Sequence, residues 1–142
     1  MNKAIVLLIL GIFSSTTAVA NELISKSADG AKVYFITPKN GQVMNGEFKV
    51  KFGLSGMGVA PAGSKVENTG HHHILINKDV SKIDFTMPLP ATDQIKHFGG
   101  GQTETVLKLP KGEHTLQLLL GNYLHIPHNK PVISEKITIT VK

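Results

Sequence analysis

From residue 32 onward, apolar and polar positions alternate in short runs separated by glycine, proline and asparagine. A period of two belongs to a half-buried strand, whose successive side chains point to opposite faces. The clearest run is 47–54, with Phe48, Val50, Phe52 and Leu54 on one face and Lys49 and Lys51 on the other. Residues 113–121 put His114, Leu116, Leu118 and Leu120 together. Residues 132–142 do the same for Ile133, Ile137, Ile139 and Val141, with Glu135 as an exception on that apolar face. Further strands are expected at 32–36, 71–78 and 102–109, and a short edge strand at 83–87, ahead of Pro88 and Pro90.

The connections carry turn chemistry. Pro38-Lys39-Asn40-Gly41 and Pro110-Lys111-Gly112 each combine a preset φ with a residue that accepts left-handed geometry. Residues 55–70 form a long, glycine-rich, aperiodic stretch, and long ordered loops tend to be functional. No segment repeats apolar residues at helical spacing. The expected fold is all-β: an immunoglobulin-like antiparallel β-sandwich of about seven strands. Gly112-x-His114-x-Leu116 has the spacing of the Gly-x-Tyr-x-Cys run in immunoglobulin domains, which places His114 at the tyrosine-corner position.

The N-terminus changes the picture of where the chain goes. Lys3 precedes an apolar run from Ala4 to Ile12, and Ala18-Val19-Ala20 is a cleavage pattern. This reads as a cleaved signal peptide at 1–20, with an apolar run too short to span a bilayer. A flexible lead-in at 21–31 and one domain at 32–142 follow. The expected location is periplasmic or secreted. The protein has no cysteine, so any metal ligands must be histidine, carboxylate, methionine or backbone oxygen. Its net charge of +5 comes entirely from scattered lysines, with no arginine and no tryptophan. Without arginine forks or stacking platforms, a nucleic-acid partner is not expected.

The candidate chemistry is in the histidines. His71, His72 and His73 are consecutive, His97 precedes Phe98-Gly99-Gly100-Gly101, and His125 and His128 flank Ile126-Pro127. In a sandwich whose strands run up and down, all six fall at one end of the domain. Neutral imidazole suits zinc, copper and nickel. Strand alternation keeps the three adjacent histidines from sharing one ion, so His71 with His73, or His72 alone, is the realistic set. Gln102 and Glu104 are possible additional oxygen donors, and Met57 a possible soft ligand. Imidazole nitrogens within about 4–5 Å of one another could share an ion.

These motifs also carry a resemblance. Gly70-His71-His72-His73, His97 through Glu104, Gly112-x-His114-Thr115-Leu116, and His125-x-Pro127-His128 through Ser134 together resemble the bacterial exported family called domain of unknown function 4399. The likeness runs from about Val33 to Val141. It implies a secreted or periplasmic single-domain protein and supplies no activity. The leading expectation is a small exported protein that binds copper or zinc at a histidine-rich loop end. The alternative is a non-catalytic domain binding an envelope protein or a glycan through that end. A metal-dependent hydrolase is the least favoured, because the chain has no nucleophile elbow and only Glu104 as a base beside a metal.

Overall fold

Alternation in the sequence becomes burial in the structure. The computed structural model describes residues 22–142, so the expected signal peptide at 1–20 lies outside the described residues. The strands are β1 (Lys32–Thr37), β2 (Val43–Met44), β3 (Glu47–Ser55), β4 (Gly58–Val59), β5 (Thr69–Ile76), β6 (Ile95–His97), β7 (Glu104–Lys108), β8 (Gly112–Gly121) and β9 (Ile137–Val141). On β3, Phe48, Val50 and Phe52 are buried while Lys49 and Lys51 are exposed, as a period of two requires.

One sheet has the order β1-β3-β7. The other has the order β2-β9-β8-β5-β4, with β6 also paired to β5. The long pairings are antiparallel. Only the two-residue strands β2 and β4 pair in parallel. This is the immunoglobulin-like arrangement, two antiparallel sheets facing one another across a shared core. Val33, Phe35, Phe48, Val50 and Phe52 meet Ile74, Ile76, Leu116, Leu118, Leu120 and Ile139 across it. His114 makes the corner contact: its Nε2–H donates to the Pro110 carbonyl at 2.8 Å, and its Nδ1 accepts from the Asn77 amide at 2.9 Å.

Three segments differ from the alternation reading. Residues 83–87 are not a strand. A 3-10 turn at Val80–Lys82 and a tight turn in which Asp84 accepts from the Thr86 amide and hydroxyl occupy that region. The short strand that comes before β7 is instead β6, later in the chain, and it pairs with β5 beside β8 and β4. Near the C-terminus, regular pairing begins only at Ile137. The Ser134 hydroxyl accepts from the Leu118 amide and donates to the Glu135 carbonyl, both at 2.8 Å, in place of ladder bonds. That break resets the alternation, so Val132 joins the inner core, Ile133 packs outside it and Glu135 points to solvent. The stretch expected as a flexible lead-in lies against the 122–130 loop: Ser27 bonds Asn129 and Lys130, and Asn129 bonds Ser25.

β5 is covered on both sides. Its inner face is His72, Ile74 and Ile76, and its outer face is His71, His73 and Leu75. A second, smaller apolar cluster of Leu75, Leu89, Ile95 and Leu119 lies on the outer face, under the segments that follow β5 and β8.

Candidate metal centre

Strand register assembles the site. His71 and His73 are two residues apart on β5 and so share its outer face. On one side His73 is paired with His97 of β6, and cross-strand partners project to the same face. On the other side His71 lies opposite Gly121 of β8. A Cβ at Gly121 would sit 2.5 Å from the His73 Cε1, so the ring occupies space that only glycine leaves open.

His125 comes from the loop after β8. It has a left-handed backbone, φ 64°, which is uncommon for a residue with a side chain. Asn122 holds it there. The Asn122 side-chain oxygen accepts from the amides of Leu124 and Ile126, and its NH2 donates to the Leu23 carbonyl at 2.8 Å. The His125 amide donates to the Asn122 carbonyl, and the His125 carbonyl accepts from the Leu89 amide. Backbone strain maintained by surrounding bonds is typical of functional positions.

Three ring nitrogens then converge. His71 Nε2 lies 3.0 Å and His73 Nε2 3.3 Å from His125 Nδ1. One nitrogen from each ring falls within 4.8 Å of the other two. Tetrahedral zinc with bonds of about 2.0–2.1 Å would separate its nitrogens by about 3.3 Å, so small rotamer changes would suffice. The His97 ring centroid is 4.5 Å from that of His73 and 4.7 Å from that of His125.

His71 Nδ1, His73 Nδ1 and His97 Nε2 are buried without hydrogen-bond partners. The three converging nitrogens can share one proton at most. A cation at their centre would use all three lone pairs. Burial, with the neighbouring imidazoles adding to it, lowers the pKa of His71 to about 4 and of His73 to about 2. His97 is also lowered, first by burial and then by His125. His71, His73 and His97 are therefore held toward the neutral form, the state in which imidazole binds metal.

The other expected residues lie elsewhere. His72 points into the sandwich core, its ring centroid 4.6 Å from that of Phe52. His128 is buried, and its Nε2 donates to the Thr69 carbonyl at 3.1 Å. Glu104 is on the exposed face of the other sheet, 3.5 Å from Lys49 and 3.7 Å from Lys51. The Gln102 side-chain oxygen accepts from the Gly100 amide. Met57 packs against the sandwich core. The cluster sits near the end of the domain where strand order placed it, but on the outer face of a sheet instead of across the sandwich end. Gly121 and Asn122 are the positioning residues that alternation did not single out. Their role shows only when the β5–β8 register is known.

The family model described as "Domain of unknown function (DUF4399)" matches residues 50–142, a span that holds every histidine of the cluster. The chain belongs to that family. No curated protein matches it. Among solved structures it is similar to the endo-beta-1,4-mannanase from Thermotoga petrophila, at 18% identity and a TM-score of 0.47 over 79% of this chain and 20% of that one. It is also similar to the Clostridium thermocellum CbhA fibronectin(III)-like modules, at 12% identity and a TM-score of 0.44 over 83% of this chain and 46% of that one. The DUF4399 chain thus spans less than half the length of either. Among its described residues, no helix is long and apolar enough to cross a membrane.

Proposed function

We propose that this DUF4399 protein is a periplasmic or secreted module that binds one transition metal ion, copper or zinc, between His71, His73 and His125. The His97 ring stands beside them, its centroid 4.5 Å from that of His73. The observation that carries this reading is the convergence of three imidazole nitrogens within 4.8 Å on a buried sheet face. Exported location is supported by the signal-like pattern of residues 1–20.

Binding is favoured over catalysis. Glu104, the base that a zinc hydrolase would need, is held by two lysines on the opposite sheet. An exposed apolar patch at that end, near Tyr123, Leu124 and Phe98, would favour the interaction-domain alternative, but Phe98 is buried at 8% exposure beside Phe52.

The test is direct. Tag-free protein is incubated with Zn(II), Cu(II) or, anaerobically, Cu(I), then gel-filtered and its metal content measured. Wild type should retain one equivalent of at least one ion, and a His71→Ala/His73→Ala variant none. Retention of no ion by folded wild type ends the reading.

A further inference from the structure

We propose that the His71–His73–His125 centre selects the monovalent cuprous ion, Cu(I), over Zn(II) and Cu(II). This rests on the metal-binding reading above and specifies its ligand.

The argument begins with ligand charge. The three converging donors are all imidazoles, a ligand type that adds no negative charge to a bound ion, and the His97 ring beside them is another. Among the described residues, the group that converges here is made of histidines alone, with no carboxylate in it. A bound ion would therefore keep its full charge.

Surroundings come next. His71 and His73 are both 0% exposed, while His125 and His97 are half-buried at the rim of the site. Leu75, Leu119 and Ile95 continue the same sheet face, and Leu89 packs with them. The cost of moving an ion from water into such a medium rises with the square of its charge. A monovalent ion pays about one quarter of what a divalent ion of similar size pays. A divalent ion here would need to carry in an anion such as hydroxide, as zinc does in open three-histidine sites. Cu(I) needs none. Its filled d shell, like that of zinc, imposes no geometry of its own, so three donors can complete it.

Among divalent ions, Cu(II) binds nitrogen donors most tightly, which makes it the stringent competitor. The experiment measures affinities of tag-free wild type for Cu(I), anaerobically against a chromophoric cuprous chelator, and for Zn(II) and Cu(II) against chelators of known affinity in the same buffer. One equivalent of Cu(I) should bind about 100-fold or more tighter than either divalent ion. Divalent binding as tight as Cu(I) overturns the selectivity and leaves the metal-binding reading standing. No binding of any ion overturns both.

His125→Gly tests the location, because glycine suits φ 64° and removes only the imidazole. It should weaken Cu(I) binding about 100-fold; unchanged affinity overturns the proposal. X-ray absorption of the cuprous wild-type protein serves as a check independent of any variant. It should show nitrogen scattering at about 2 Å with imidazole outer shells. Sulfur scattering would place the ion on methionine and overturn the assignment.

Discussion

The two faces of β5 carry the same residue type to different ends. His72 faces inward, packed on Phe52, and neither ring nitrogen reaches a partner in hydrogen-bond geometry. Burial lowers its pKa to about 4, with only the Gly53 backbone pulling the other way. His71 and His73 face outward and are equally buried, yet they meet other imidazoles. Burying an unpaired ring nitrogen costs about 1–3 kcal/mol on either face. On the inner face, aromatic packing offsets part of that, about 0.5–1.5 kcal/mol. On the outer face a metal ion would supply the missing partner. A buried histidine is thus not a ligand by virtue of burial; what distinguishes the outer pair is that β6 and the 122–130 loop bring other nitrogens to it.

Acid should disturb both faces, and most strongly. In the metal-free protein these rings are neutral when folded and take up a proton when unfolded, since their folded pKa values lie below the ordinary 6.5. Stability is then full above about pH 6.5 and falls as pH drops toward 4 for His71 and His72, and toward 2 for His73. Each ring contributes a slope of up to about 1.4 kcal/mol per pH unit. Urea unfolding at pH 7.5, 6 and 5 measures the decline. A flat profile would mean that the rings are protonated, or exposed, in the folded state.

Removing a ring from the outer face separates the two faces. His73→Leu keeps apolar volume and deletes one donor. Metal affinity should fall about 100-fold or more, with unfolding free energy within about 1.5 kcal/mol of wild type. Calorimetry and thermal melts read the two effects. Equal metal affinity would show that the outer pair is as incidental to binding as the inner ring.

Gly121→Ala tests the space that holds the His73 ring. The added methyl would meet its Cε1 at 2.5 Å, so the ring or strand must shift. We expect a loss of about 1–3 kcal/mol in stability and a roughly 10-fold weaker metal complex. Unchanged metal affinity would show that the ring position is not critical.

The smallest effect belongs to the inner face. His72→Leu replaces an unpaired polar ring with an apolar side chain. Stability should stay level or rise by up to about 2 kcal/mol, with metal affinity unchanged. A fall in metal affinity would show that His72 takes part after all.

Much of the architecture is legible along the chain. The period-two runs of β3 and of the first half of β8 name their core residues because one face is more deeply buried than the other, and the structure buries Phe48, Val50, Phe52, His114, Leu116, Leu118 and Leu120 as predicted; beyond Gln117 both faces of β8 are buried. The corner histidine His114 is legible for a similar reason, since a local spacing encodes a local bond to Pro110. Alternation also separates His72 from His71 and His73, because adjacent strand residues cannot face the same way.

What alternation cannot supply is the identity of the neighbours. β6 reads as loop, since three residues are too few to show a period, yet it sets His97 against His73. The Ser134 side chain breaks the last strand, and the one trace of it in the apolar pattern is Glu135 on the expected apolar face. The left-handed turn at His125 and the room that Gly121 leaves for the His73 ring have meaning only through contacts far away in sequence. Local periodicity thus settles which side chains turn toward a sheet face. Which nitrogens meet there depends on strand register and loop closure, which bring residues some fifty positions apart to within 3.0 Å.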